Sequence, residues 1–537
     1  MDKVTRTWGL YSRGEGLQET HVPFGEPIRP KTFKPGWPGS TIHLGPDISD
    51  GSTEDTYIEN GYAEMRAGYT DFYDTSGYHP IFITQGFGFW DGTKRGPHAY
   101  VFAASPSTDD GIIYAMRDTS SWSSAIAMPN AAGYGFTTAF WDGASNKSVL
   151  IGNGATMLYH WPNTGGVDAV QSTGTVGGFL VGVAENYALL FGTVSKGATA
   201  FRYSDNKKIQ WCAAGDVTDW DNGGNLSMTD GLGPCLNIWP SQNYFYVYRG
   251  QGVNRVYYVG GVDEWTYETI TTDFGMFHRD SLRSSSAGCR TPYGYVFFTN
   301  TADIMLHRGG SEFISLGKDI GELLNSYLTY GIPDVSMAYD PSTDRLYIWY
   351  RTGALTGKFF SYHFASRSWS IQIEFHDVEA IGGISKDVSQ SYHGLWLGNM
   401  TRDDWSNTFR LKYVNRDSTG ARDAYASGGK TTTPTFSTGW WKSIKKERWV
   451  GVSFRITADT NYQDGLKIYY RIDDGSWSGG SSGISIPTTW TDVMYVFGDG
   501  PVSNFNDIIS EKIQFAFSHD QAIGRVWITD IQPWVAR

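Results

Sequence analysis

The sequence predicts an all-β protein, and three observations carry that prediction. Aromatic residues make up 15 % of the chain, glycine occurs 65 times, and only 18 % of residues are charged. Short aromatic strands joined by glycine turns produce this profile, whereas helical chains favour Ala, Leu, Glu and Lys. Strand-like runs also recur at a near-constant spacing. Finally, runs such as Arg345-Leu346-Tyr347-Ile348-Trp349-Tyr350 are apolar almost throughout, as strands of sheets buried between other sheets should be. At 537 residues the chain exceeds one ordinary core, so two or three domains are expected.

The elements follow in order. Residues 1–67 carry Pro23, Pro27, Pro30, Pro35, Pro38 and Pro46 with many glycines and little apolar periodicity, the pattern of an extended arm. From residue 68 to 415 a repeat is present, with strand-like runs ending at Tyr114, Tyr159, Tyr203, Tyr257, Leu306, Tyr362 and Tyr413. The intervals of roughly 45 to 55 residues match a four-stranded propeller blade. In five repeats an aromatic residue follows the anchor by seven or eight positions: Trp122, Trp211, Trp265, Phe313 and Trp369. The second repeat departs from this, with Trp161 two residues after Tyr159. The spacing resembles the last hairpin of kelch-type blades, where such aromatics pack between neighbouring sheets. The prediction is a β-propeller of about seven blades, with six and eight as alternatives. A helix is predicted over Asp319–Tyr330, with Ile320, Leu323, Leu324 and Leu328 on one face. A polar linker spans 416–438. Beyond it, 439–537 holds five strand signals: Trp449–Ile456, Leu466–Ile472, Asp492–Phe497, Lys512–Phe517 and Arg525–Ile531. Short alternating strands over such a length predict a β-sandwich.

The net charge of -12 opposes wrapping of nucleic acid through phosphate contacts, while an acidic wall would let DNA pass without gripping it. The three cysteines, Cys212, Cys235 and Cys289, form no C-x-x-C pair and no disulfide framework, which suits a reducing cytoplasm. No apolar leader follows Met1, and no run reaches the length of a transmembrane helix, so a soluble, cytosolically made protein is expected.

Few residues suggest chemistry. The eleven histidines show no close ligand spacing, and neither a G-x-S-x-G elbow nor a phosphate-binding loop occurs. Asp109-Asp110, Asp403-Asp404 and Asp473-Asp474 could supply the paired carboxylates of a glycosidase, but adjacent aspartates beside turn residues more often shape the turn. The run Arg471 to Trp477 resembles the Asp-box hairpin of sialidases, itself a folding element, and no companion arginine triad can be assigned. Asp47, Asp50, Glu54 and Asp55 could hold a calcium ion, although their spacing is not that of an EF-hand and a solvated acidic loop explains them as well. Trp440-Trp441 could stack on a sugar ring or pack in an interface, with Lys442, Lys445 and Lys446 as solvated charge beside them. No catalytic, cofactor or metal residue is assigned, and a non-enzymatic role is expected.

One stretch remains, I-Q-W-C-A-A-G-D-V-T-D-W-D-N-G-G-N from Ile209 to Asn225. In register with the repeat, Trp211 follows the anchor Tyr203 as Trp265 follows Tyr257 and Trp369 follows Tyr362. Asp216, Asp219, Asp221 and Gly223-Gly224 then form turn chemistry between blades, pinned by Trp220. The run from Arg202-Tyr203-Ser204 through this stretch to Tyr246-Val247-Tyr248-Arg249-Gly250-Gln251-Gly252 resembles a blade transition in tail hub or nozzle proteins of short-tailed bacteriophages. These are also called packaged-DNA stabilisation proteins. Ala67-Gly68-Tyr69-Thr70-Asp71-Phe72 is similar to the start of their repeat region, while Cys212 stands where the family more often has Ser. The resemblance covers residues 65 to 415. It implies a homo-oligomeric ring, commonly six copies, docked under a portal or adaptor ring and carrying tail fibres or a needle. Genomic DNA would pass through an acidic channel without specific binding, and the protein would reside in the virion tail after synthesis in the host cytoplasm. A carbohydrate- or receptor-binding virion protein, meeting the host surface, is the alternative, followed by a propeller glycan hydrolase.

Overall fold

The computed structural model describes residues 56–536 apart from a set of connecting segments, the longest of which is 414–434. The chain is all-β; the helical structure among the described residues is the 3-10 turn Gly317–Ile320 with α-helical Gly321 and Leu324 directly after it. That turn stands at the start of the predicted helix and buries Ile320, and Leu324 beyond it is also buried. Most of 322–334 lies outside the described residues. No described helix is long and apolar enough to cross a membrane.

Seven four-stranded antiparallel sheets follow one another along the chain. The first runs His79–Trp90, Lys94–Ala104, Gly111–Met116 and Ser123–Met128; the second Thr137–Asp142, Lys147–Gly152, Tyr159–Pro162 and Gln171–Ser172. The third comprises Val176–Ala184, Tyr187–Ser195, Lys208–Trp211 and Gly224–Ser227. The fourth comprises Cys235–Pro240, Tyr244–Arg249, Gly252–Tyr258 and Trp265–Thr271. The fifth is made of Gly288–Thr291, Gly294–Phe298, Ile304–Gly309 and Glu312–Ser315; the sixth of Val335–Asp340, Arg345–Arg351, Thr356–His363 and Ser368–His376. The seventh takes Val378–Ile384, Gly394–Met400 and Phe409–Tyr413 from late in the sequence, and its fourth strand, Thr70–Asp74, from the beginning.

Every described repeat anchor lies in the third strand of its own sheet: Tyr114, Tyr159, Tyr257, Leu306, Tyr362 and Tyr413. Tyr203 lies outside the described residues. Trp265, Phe313 and Trp369 occupy fourth strands, and the buried Trp122 directly precedes one. Tyr362 and Trp369 are cross-strand partners with ring centroids 4.9 Å apart. In two other sheets the follower faces the residue next to the anchor. Trp265 opposes Tyr258 rather than Tyr257, and Phe313 opposes His307 rather than Leu306. A slip of one residue changes which side chain shares a face, and spacing alone does not resolve it.

From the first sheet to the fourth and from the fifth to the seventh, first strands of successive sheets touch one another, and the first strand of the seventh meets that of the first. The fourth and fifth sheets join through a shared core in which Tyr248 stacks on Tyr295 at 4.4 Å between centroids. The cycle is therefore closed, and the apolar faces of the sheets are buried against each other, as with Trp122 edge-on to Trp396 between the first and seventh.

All five C-terminal strands are present, four of them longer than expected and the third shifted by one residue: Trp441–Ala458, Tyr462–Ile472, Thr491–Val496, Ile508–His519 and Val526–Ala536. They form one continuous ten-stranded sheet with several shorter strands. Trp441–Ala458 changes partners along its length, pairing with Ile508–His519 up to Trp449 and with Thr491–Val496 from Gly451. Phe454 and Phe517, which are not cross-strand partners, meet edge-to-face at 5.2 Å in the core of this region. Two boundaries differ from the sequence reading. Thr56–Glu59 and Tyr62–Met65, assigned to the arm, form a hairpin that pairs with Val526–Ala536. Thr435–Ser437, assigned to the linker, pairs with Ile508–His519.

Candidate functional site

Trp211 lies in the third strand of the third sheet, opposite Leu189 and Gly224, so it occupies the anchor's position rather than the follower's. Its equivalence to Trp265, a fourth-strand residue, therefore does not hold. The loop from Cys212 to Gly223 joins two strands of the same sheet, not two sheets. Its aspartates act as turn groups. Asp216 Oδ1 accepts from Thr218 N and Oγ1 at 2.9 and 2.7 Å, and Asp219 accepts from Asn222 N and Nδ2 at 3.1 and 2.7 Å. The Asn222 bonds hold the Asp219 carboxyl below its usual range, since they stabilise the charged form. Trp220 is buried and donates to Val217 O at 2.8 Å, which pins the loop. Gly223 and Gly224 serve close approach: a Cβ on Gly223 would lie 1.9 Å from Trp211 O, and one on Gly224 2.4 Å from the indole ring.

This region also ties the third sheet to the fourth. Trp211 Nε1 donates to Glu264 Oε2 at 2.5 Å, Tyr187 Oη donates to Glu264 Oε1 at 2.9 Å, and Trp265 packs edge-on against Tyr187. Tyr257 is half-buried on the opposite face of its strand. Tyr362 and Trp369 are core residues of the sixth sheet. The three cysteines are free, and burial pushes the Cys212 thiol up to about 11 and that of Cys235 up to about 12, so neither is a ready nucleophile. Trp441 begins a long strand, and Trp440 lies outside the described residues, as do Asp109-Asp110, Asp403-Asp404 and the acidic loop from Asp47 to Asp55. Asp473 is exposed at φ 44° in a hairpin turn closed by Gly475 N to Ile472 O, a structural role. No group of three His, Cys, Asp or Glu side chains suited to a metal occurs among the described residues.

One concavity was not singled out by the sequence. A cavity of about 780 Å³ is walled by first strands of the first, fourth, fifth, sixth and seventh sheets, which places it at the centre of the cycle. Trp239, Tyr295, Arg290 and Arg308 line it, together with amides and hydroxyls such as Asn237 and Thr291. Among its described lining residues there is no Asp or Glu. The wall is held from behind. Tyr293 and Tyr339 both donate to Asp344, at 2.9 and 2.8 Å, and Tyr293 stacks on Phe364 at 4.4 Å. Trp239 stacks on both Tyr246 and Tyr295, with His307 edge-on to it. His307 Nε2 faces Gly310 O at 3.0 Å and must donate there, so Nδ1 accepts from Tyr248 Oη at 2.8 Å. Burial lowers this imidazole to about 4, and it is neutral near pH 7. Nothing in the sequence marks this cavity, because its residues come from five repeats and carry no local motif.

No family model matches the chain, and no curated relative does. Solved structures do. A Bacillus subtilis glycoside hydrolase family 43 arabinoxylan arabinofuranohydrolase in complex with cellotetraose is 10 % identical, with TM-score 0.23, over 86 % of this chain and 96 % of that one. An exo-β-1,3-galactanase from Phanerochaete chrysosporium with galactose is 8 % identical, with TM-score 0.21, over 87 % of this chain and all of the other (100 %). A structure titled as a family 4 carbohydrate-binding module is 10 % identical, with TM-score 0.14, over 26 % of this chain and 70 % of its own. These matches correct one expectation. The non-enzymatic role rested on missing catalytic motifs, yet the structures found include glycan-cleaving enzymes, so that expectation is withdrawn. Similarity at this level carries no argument for an activity or a substrate of this chain.

Proposed function

We propose that the chain is a seven-bladed β-propeller with a C-terminal two-layer sandwich, and that it is a subunit of the tail ring around the DNA exit channel of a short-tailed bacteriophage. The observation that carries this reading is where the two resembling stretches fall. Ile209 to Gly252 runs from the last two strands of the third sheet into the fourth, a transition between blades. Ala67 to Phe72 leads into Thr70–Asp74, the strand that completes the seventh sheet. Closure by an early strand joins both ends of the repeat region in one sheet, which suits a rigid body that bears load without unwinding.

In this reading copies form a homo-oligomeric ring, docked on a portal or adaptor ring, and the acidic surplus of the chain keeps the passage non-adhesive for DNA. Native mass spectrometry and negative-stain electron microscopy of the purified protein test it. A ring with an axial opening, six copies being expected, supports the reading; a monomer at every concentration overturns it. A second reading, recognition of a glycan, is favoured by one observation, the cavity at the centre of the cycle.

A further inference from the structure

We propose that the central cavity is a binding site for a small acidic saccharide, whose carboxylate is held by Arg290 and Arg308 and whose ring lies against Trp239. This inference deepens the second reading and does not depend on whether copies assemble into a ring. Three features of the wall carry it.

The first is charge. The chain has net charge -12, yet the charged groups among the described lining residues are the two guanidiniums. Arg290 is exposed, and among the described residues Arg308 makes a solvent-exposed contact with Glu312 at 3.3 Å, which water screens. A guanidinium presents paired donors that match a carboxylate, and a cavity without competing acids leaves them available.

The second is an unused donor. The Tyr295 hydroxyl is buried and has no hydrogen-bond partner among the described residues, although its ring is clamped by Tyr248 at 4.4 Å and Trp239 at 6.2 Å. Arg290 and Tyr295 are cross-strand partners and so share one face of the fifth sheet. Tyr295 leans along that face over Gly288, where an added Cβ would lie 2.7 Å from its hydroxyl, and both residues belong to the lining. A buried hydroxyl without a partner is costly, and a ligand oxygen would satisfy it.

The third is shape and surface. The half-buried Trp239, already stacked on Tyr246 and Tyr295, offers the part of its indole left exposed, the 43 % exposed Tyr293 adds aromatic surface, Asn237 and Gln85 add amides, and about 780 Å³ is ample for a short oligosaccharide. A bare anion would use the arginines and leave the aromatic faces wet, whereas a sugar acid engages both.

Isothermal titration calorimetry on the full chain tests the proposal, with trigalacturonate as the probe, galactotriose as its neutral counterpart and inorganic phosphate as the bare anion. Saturable binding of trigalacturonate, at least about tenfold tighter than galactotriose or phosphate, is expected. Arg290→Gln should weaken it by about tenfold or more. Tyr295→Phe should weaken it several-fold without lowering the melting temperature, since it removes an unpaired hydroxyl and keeps the ring. No saturable binding, equal affinity for the neutral sugar, or an Arg290→Gln protein that binds unchanged would overturn the site. Phosphate binding as tightly as trigalacturonate would overturn the saccharide assignment. Ring assembly is read separately by native mass spectrometry, so failure here and failure there are distinguishable.

Discussion

Arg249 shows what a residue inside a recognisable stretch does for the fold. Tyr246 to Gly252 stood out as family texture, but its guanidinium is fully buried and anchors a turn. It pairs with Asp230, donates from Nε to Gly233 O at 2.8 Å, and shares Asn254, which itself donates to Asp230 Oδ2 at 2.8 Å. Removing one member of a buried pair leaves an uncompensated charge, so Asp230→Ala should cost about 3–5 kcal/mol in denaturant unfolding. His307 supplies a pH dependence. Its folded value of about 4 lies below the ordinary 6.5, so the unfolded chain binds the proton more tightly. The stability it contributes is complete above pH 6.5 and is lost as pH falls through about 4, an effect of about 3 kcal/mol. Melting temperature followed from pH 7 to 4 should fall more steeply in the native protein than in His307→Gln. The partners of neither residue were legible beforehand, because those of a buried polar group are set by packing and not by neighbours in sequence.

At the scale of elements, the contacts between sheets set the tolerances. In the first strand of the seventh sheet, a Cβ on Gly383 would lie 1.7 Å from Tyr339 O in the first strand of the sixth. Backbone cannot yield there as a flexible side chain can, so Gly383→Ala should cost about 1–3 kcal/mol or more by thermal unfolding, with the two strands forced apart. The third strands were legible, since aromatic anchors recur at a spacing close to one sheet. The partner facing each anchor was not: Trp265 follows Tyr257 by eight residues and meets Tyr258, and Phe313 meets His307 beside the bulge at His307 to Gly309. The Trp211 loop failed for a related reason. Its sheet carries its aromatic in the third strand itself, so the count from Tyr203 ran one strand out of step.

At the scale of the whole molecule, the chain closes twice through its early residues. Thr70–Asp74 completes the seventh sheet against Phe409–Tyr413, and Tyr62–Met65 extends the C-terminal sheet against Val526–Ala536. A chain lacking residues 1–77 should therefore lose both closures, leaving the edge of Phe409–Tyr413 unpaired. A lower melting temperature and faster hydrogen exchange in Gly394–Met400 and Phe409–Tyr413 would be measured, while retention of both would show that the closing strands are dispensable. Strand content, the repeat, its third-strand anchors and the five C-terminal strands were determined by the sequence alone, because alternation and spacing are local properties that each segment carries by itself. The closure, the face presented by each anchor and the central cavity were decided only by the tertiary structure. They depend on groups such as Gln85 and Ser385, which are hydrogen-bonded at 2.9 Å across 300 residues, and no local pattern encodes which distant strand will supply the partner.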